Sequence, residues 1–489
     1  MRIRYKLLIL ILILILNSCA SKTAIKPDRV IDDIPEQWKT ETSNQLDISE
    51  IWWEEFKDAK LNLFLSQFYL ENINLEQAML KTRNVKQASV VSTSNLFPSI
   101  SINANASEAE QNTAGFPPLL RNLFGAIEQQ NNPDFDPNDP SLSEITTFTQ
   151  ESYSLSLNTQ WEIDLWGKLR QGRIAGKQQF LSAKYNYTYY QLSLTSEAAK
   201  LYFSIIEANQ LTNNAKQKYN NSKLIFDLYE IRYNKGSISS KALQQSELML
   251  NLAKSDLENR KSISKSLIRE AKVLIKEYPN LSLDVSSEFP TSIPNIPQVV
   301  PADIVKRRPD LIASQYNLLA SKALNKQAMR SMYPSFSLVG STGASSNVKD
   351  LLDDDYSVWS AGINLFSPIF NGGKLIANKK IAGNNKEIAM LEFVNNLLNA
   401  YKEVESNLEL DKTSELSLKL LKDNVKLSES IYNTTFDEFS KGVVTIEDVI
   451  NANNALYDIK NILATTERIR IEQRINLILA LGGGFDYKK

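Results

Sequence analysis

The stretch YSLSLNTQWEIDLWGKLR, residues 153–170, changes its period part-way along. Up to about Leu165 apolar and polar residues alternate. Leucine, tryptophan and isoleucine fall on one face, and Ser154, Ser156, Asn158, Gln160, Glu162 and Asp164 on the other, which is the period of a β-strand. After Gly167 the alternation stops, and no proline occurs before Gly236. A helix of roughly 69 residues at 1.5 Å each extends on the order of 100 Å. A strand too polar on one side for an ordinary core, feeding a helix too long for an ordinary globule, calls for an unusual architecture.

The placement of helix breakers extends this reading. All 16 prolines of the 489 residues lie before Ser141, between Pro279 and Pro334, or at Pro368. Two proline-free tracts remain, 141–278 and 369–489. Gly236 is the only glycine between Gly176 and Gly340, and Gly442 the only one between Gly383 and Gly482. Each tract therefore reads as two long helices meeting at one glycine, for example 168–234 followed by about 239–278. Four such helices make a coiled bundle.

Upstream, Ile51-Trp52-Trp53 opens a helical pattern that continues to about Asn95, with the tryptophans as core anchors. After Pro98 the period becomes two: Ile100, Ile102, Ala104 and Ala106 alternate with Ser99, Ser101, Asn103, Asn105 and Ser107. Loop chemistry follows, with Pro117-Pro118 and QQNNPDFDPNDP, before the strand at 153–165 returns. Six prolines between Pro279 and Pro309 mark a linker.

Beyond it the first half recurs. Asn74 and Asp310 stand 236 positions apart, as do Pro98 and Pro334; Gly167 and Gly373 stand 206 apart, as do Gly236 and Gly442. The offset falls by 30 because the second hairpin loop is shorter. The chain thus reads as a tandem duplication: a first repeat at 51–278 with strands about 99–108 and 153–165, a linker at 279–309, and a second repeat at 310–484 with strands about 335–343 and 357–366. Residues 485–489 are a tail.

Composition removes several functions. There is no histidine and one cysteine, so the usual zinc or haem ligands and a Cys-His or Ser-His nucleophilic centre are excluded. No spacing suggests an oxygen-ligated metal or another cofactor, and no enzyme is expected. At the N-terminus, Arg2, Arg4 and Lys6 precede ten unbroken leucines and isoleucines, 7–16. That is a signal-peptide core and too short to span a bilayer. Residues 1–18 are read as signal peptide and 19–50 as a tether. The net charge is −1, or −4 without the three basic residues of the signal, and gives no case for nucleic-acid binding.

Strands with one apolar and one polar face suit a membrane wall around a wet lumen. Four cannot close a barrel, and open edges are not tolerated in lipid, so the chain is expected to oligomerise.

Leu16-Asn17-Ser18-Cys19 resembles a bacterial lipobox, which implies acylation at Cys19, and Ala20 after it favours the outer membrane. Together with the WEIDLWGK junction, the Tyr/Phe-x-x-Gly turns, Arg307-Arg308-Pro309-Asp310 and Leu479-Ala480-Leu481-Gly482-Gly483-Gly484, it makes the chain resemble the TolC-type outer-membrane efflux channels, in their lipoprotein (NodT-like) branch. The resemblance implies an α+β membrane protein. Long helical hairpins form an α-barrel, and four strands per chain complete a twelve-stranded β-barrel in a homotrimer. It also implies a passive duct for drugs or toxic small molecules, docked to a periplasmic adaptor and an inner-membrane pump.

Candidate roles follow from that resemblance. Arg232, Tyr233, Gly236, Ser239, Phe439, Gly442 and Thr445 are expected at the adaptor-contact tips. Glu447, Asp448 and Asn451 are expected at the aperture, where relatives carry two carboxylates; here asparagine holds the second place and Phe439 lacks a tyrosine's hydroxyl. Trp161, Asp164, Gly167 and Gly373 belong to the strand–helix junctions, and Trp161, Trp166 and Trp359 to an interfacial aromatic belt, with bracing of the junction an equal reading for Trp166. Asp310 reads as a helix start. The competing reading is a periplasmic coiled-coil lipoprotein that tethers envelope components.

Overall fold

The computed structural model describes residues 38, 51–112, 115–117, 119–120, 147–296, 301–346 and 357–483. The signal segment, Cys19 and the tail lie outside them. A 3-10 turn at Trp52–Phe56 ends at Lys57, whose φ is 56°. Helix α1 (Ala59–Glu71) follows, then α2 (Ile73–Ser94). The continuous helix expected from 51 to 95 is therefore broken twice. The Asp58 carboxylate accepts from the amides of Lys60 and Leu61, and the Asn72 side chain from that of Leu75; each ends one segment and caps the next.

Strands β1 (Ser99–Asn112) and β2 (Thr147–Ile163) lead into α3 (Lys168–Asn234) and α4 (Ser240–Leu274). After the linker come a short turn at Ile304–Arg307, α5 (Pro309–Arg330), β3 (Ser335–Ser346), β4 (Ser357–Phe366), α6 (Lys374–Ser440) and α7 (Ile446–Ala480). Helices α3 and α6 have 67 residues each, α4 and α7 have 35, and α2 and α5 have 22. Three strands exceed their expected bounds. β1 runs to Asn112 and β3 to Ser346, while β2 begins at Thr147 and stops at Ile163. It stops there because the next residues turn into the cap of α3.

All four strands form one antiparallel sheet in the order β1-β2-β3-β4. Its register carries the duplication: Ser99 faces Gln160 in the first hairpin and Ser335 faces Phe366 in the second, which are the same offsets of 236 and 206. β1 and β4 are the edges.

The largest core lies midway along the helices. Trp52, Phe56, Leu61 and Phe68 pack on Tyr202, Phe203 and Ile206 of α3 and on Ile475 of α7. Asp58 anchors it, accepting from the Tyr202 hydroxyl at 3.0 Å and the Ser286 hydroxyl at 2.9 Å. Burial, with the Asp58 carboxylate nearby, pushes the Tyr202 phenol up to about 12. Among the described residues no helix is long and apolar enough to cross a membrane, which leaves the sheet as the element to consider.

Candidate functional site

The sheet sorts its residues by face. Ile102, Leu157, Thr342 and Trp359 form one cross-strand row, and Ile163, Phe336 and Leu365 another. Between the rows stand Ser101, Asn158, Ser341 and Ser360, which point to the opposite face. One face is thus apolar from Ile163 up to Tyr153, and the other is mostly hydroxyls and amides, interrupted by Val339, Val358 and Phe366. Beyond Tyr153, Glu108 stands opposite Glu151, so the apolar band ends where the hairpin extends further. Among the described residues nothing covers the apolar face: Ile100, Ile102, Trp359 and Ile363 are all exposed. A face of this kind is suited to lipid, and its reverse to water.

The first junction is tied by polar groups. Asp164 accepts from the backbone amides of Leu169 at 3.0 Å and Arg170 at 2.8 Å, and from the Arg170 guanidinium. Burial works against its ionisation, but these donors outweigh it and hold the carboxyl below the usual carboxylate range. Gly167 takes φ 75° and Arg330 donates to its carbonyl at 2.8 Å. Trp166 braces the joint: its indole N–H donates to the Pro334 carbonyl at 2.6 Å and its ring lies 5.4 Å from that of Tyr333. Trp161 donates to the Leu96 carbonyl at 2.9 Å from within β2. At the second junction Gly373 takes φ 83° without a side-chain cap. Ile369 and Phe370 beside it are almost wholly exposed.

At the far end, both helical hairpins turn in the same way. Gly236 (φ 71°) and Gly442 (φ 77°) occupy the left-handed region. Ser237 N–H donates to the Arg232 carbonyl and Val443 N–H to that of Glu438, the pairing that closes a helix end on glycine. Ser239 then caps α4. Thr445 caps α7 in a reciprocal box with Asp448.

The expectation for Phe439 needs correction. Its ring is 4% exposed, stacked on Tyr229 and covered by the Arg232 guanidinium at 4.7 Å, so it forms the floor of the tip and not its contact surface. Tyr233, Gly236, Ser239, Gly442 and Thr445 are exposed, and Arg232 is half-buried. Glu447, Asp448 and Asn451 lie exposed in the first turns of α7. Asp448 is already engaged: the Thr445 hydroxyl and amide donate to it at 2.6 and 2.8 Å and hold its carboxyl below the usual range.

Sequence reasoning missed two arrangements. Arg308 is buried and binds Asp310 through two nitrogens at 2.8 and 3.1 Å, Glu403 at 2.6 Å and the Ala480 carbonyl at 3.3 Å. It thereby fastens α5 to α6 and to the end of α7, and Asp310 is one arm of that clasp. A polar ladder joins α3 to α7: Glu207 meets Thr465 and Arg468, Asn214 meets Asn461, and Asn221 meets Asn453 and Tyr457. The seven-residue spacing of Glu207, Asn214 and Asn221 was the available signal. Among the described residues no cluster suits a metal ion.

The profile of a family described as outer membrane efflux protein matches residues 64–264 and 300–483. The pyoverdine export outer membrane protein OpmQ of Pseudomonas aeruginosa is 23% identical over 479 residues, covering 96% of this chain and 95% of that one. The cation efflux system protein CusC of Escherichia coli K12 is 24% identical over 341 residues, covering 69% and 74%. Among solved structures, the Campylobacter jejuni CmeC outer membrane channel superposes with a TM-score of 0.79 at 24% identity, covering 97% of this chain and 95% of that one.

Proposed function

Because the chain belongs to the outer membrane efflux protein family, we propose that it is the outer-membrane duct of a tripartite efflux assembly, a passive exit for small molecules such as drugs or toxic compounds. The observation that carries this reading is the sheet: one face apolar across four strands, the other rich in serine and asparagine, and, among the described residues, no cover on the first and no partner at either edge. Three copies supply twelve strands and a continuous wall, and the 67-residue helices extend it across the periplasm. Cys19 carries the lipid anchor of a NodT-like lipoprotein.

The tips meet the adaptor through Tyr233, Gly236, Ser239, Gly442 and Thr445, with Arg232 at the margin and Phe439 beneath. An inner-membrane pump works through that adaptor. Glu447, Asp448 and Asn451 from three chains ring the aperture. Asn451 adds no charge to that ring, while the Thr445 donors keep Asp448 ionised within its cap. OpmQ and CusC are named for different cargoes, pyoverdine and cations, so the property carried across is export of small solutes.

Purified protein added to planar bilayers is expected to give discrete conductance steps and to run as a trimer; a monomer that never inserts sinks the reading. Carbonate washing of membranes holding the Cys19→Ala protein separates this from a tethering coiled-coil lipoprotein. An embedded barrel stays in the pellet, whereas a coiled coil deprived of its lipid anchor is released.

A further inference from the structure

The helices nearest the sheet carry charge of one sign. Residues 78–97, 168–190, 311–333 and 374–386, the stretches of α2, α3, α5 and α6 that adjoin the strands, hold 15 lysines and arginines and no aspartate or glutamate. The whole chain has a formal charge of −1, so base is concentrated in this band and the rest of the molecule is acidic.

Packing fixes which way the band points. On one side of α3, Gly176 lies against Ser89 and Ser92 of α2. On the other, the Ser182 hydroxyl donates to the Ala313 carbonyl and Tyr185 stacks on Tyr316, both of α5. At 3.5 residues per turn two arcs of α3 stay free. The narrower bears Gln179 and Asn186, and beside it Lys168 binds Glu162 of the polar sheet face at 2.6 Å. The wider bears Ile174 and Lys177, with Arg173 at its margin. In a closed ring of rods the wider arc between neighbours is the outer one. On α5, Gln327 meets Gly172 of α3 and Ser314 meets Asn396 of α6, which leaves Lys326 on the outer arc beside Met329. On α6, Lys379 repeats Arg173 at the offset of 206, and Lys380 follows it.

Arg173, Lys177, Lys326, Lys379 and Lys380 are exposed and, among the described residues, have no carboxylate partner. At 1.5 Å per residue they stand about 6–14 Å below the strand–helix joints. The polar layer on one side of a bilayer is about 5–8 Å deep, and a flexible stem carries its cation toward it. Directly above, on the same outer side, is the uncovered apolar face of the sheet, and Ile369 and Phe370 at the second joint are 97% and 91% exposed. The opposite margin of that face carries Glu108 and Glu151 instead, so only the helical margin is basic. We propose that this outward collar binds the anionic headgroups of phospholipids in the periplasmic leaflet and so sets the depth at which the wall sits. This rests on the outer-membrane duct reading above, which supplies the outer side and the membrane level.

Boundary lipid reports the preference directly. The full-length protein is reconstituted in phosphatidylcholine vesicles with a trace of spin-labelled phosphatidylglycerol or spin-labelled phosphatidylcholine. Phosphatidylglycerol is expected to be favoured at the protein surface by about threefold or more at low salt, and to lose that advantage in 1 M salt, where screening acts within about 3 Å. The variant Arg173→Gln/Lys177→Gln/Lys326→Gln/Lys379→Gln/Lys380→Gln is expected to show no preference at low salt. A variant neutralised at five lysines far from the sheet, Lys216→Gln/Lys223→Gln/Lys265→Gln/Lys412→Gln/Lys419→Gln, keeps the wild-type ratio. Equal binding of the two lipids by the wild-type protein, or a ratio that 1 M salt leaves unchanged, overturns the collar without recourse to any variant. An unchanged ratio in the collar variant overturns it as well. In each of these cases conductance steps in planar bilayers spare the duct reading, whereas a protein that does not insert removes both.

Discussion

Arg308 shows how much one side chain holds in a molecule built from long rods. Its guanidinium reaches three elements at once, and two of its partners are 95 and 172 residues away in sequence. Replacing it by alanine leaves Asp310 and Glu403 without their shared cation and the Ala480 carbonyl without this donor. Arg308→Ala is expected to cost about 3 kcal/mol, read as a lowered denaturation midpoint. Arg308→Lys recovers only part, because an ammonium does not reproduce the two-pronged contact with Asp310.

Tyr202 gives a pH signature. Its folded-state phenol is pushed up to about 12, above the ordinary value near 10. Its contribution is therefore intact below about pH 10 and is lost as pH rises toward 12. Stability measured by chemical denaturation should decline over that alkaline window, and Tyr202→Phe should flatten the decline. The motif Arg307-Arg308-Pro309-Asp310 stood out in the sequence, but its meaning did not: nothing local announces that Glu403 and Ala480 are its partners. Phe439 was misplaced for the same reason, since the Tyr229 ring and the Arg232 guanidinium that cover it come from another helix.

At the scale of elements, the helices were the most legible part because their signals are local. Single glycines separate unbroken tracts, and each tip is closed by its own carbonyls and recapped by the next Ser or Thr. The α7 cap joins Thr445 and Asp448 reciprocally. Thr445→Ala is expected to cost about 1 kcal/mol and to raise amide exchange over the first turns of α7, with α4 unchanged under its separate Ser239 cap. Strand ends were less legible. Alternation weakens past Tyr153, where Glu108, Glu110 and Glu151 share the face of the leucines, yet the ladder continues because backbone pairing does not require apolar side chains. Single cysteines test the faces of β2: Ser156→Cys should react with a charged, water-soluble thiol reagent in intact membranes, and Leu157→Cys should be protected by lipid. Equal labelling of both would contradict a membrane wall.

For the whole molecule, the duplication was readable from landmarks alone, but the stagger of the sheet was not, because it depends on how the two repeats meet. Two strands across from Ser101, through Asn158, stands Ser341, four positions beyond the duplicate Ser337. In the proposed trimer, six half-repeats would carry that advance to about 24 residues around twelve strands. With strands ~4.8 Å apart and ~3.3 Å per residue, the strands would incline by about 54°, and the ring would have a radius of about 16 Å. Twelve helices of the proposed trimer, packed about 9–10 Å apart, would form a ring of about 17–19 Å, so the wall would pass from strand to helix with little change of girth. A wall inclined so steeply needs about 13 residues to cross an apolar band of ~25 Å; β1 and β2 exceed this with 14 and 17, β3 comes close with 12, and β4 falls short with 10. In the proposed trimer the slant of the strands, and with it a girth that matches the helical tube, follows from one four-residue offset.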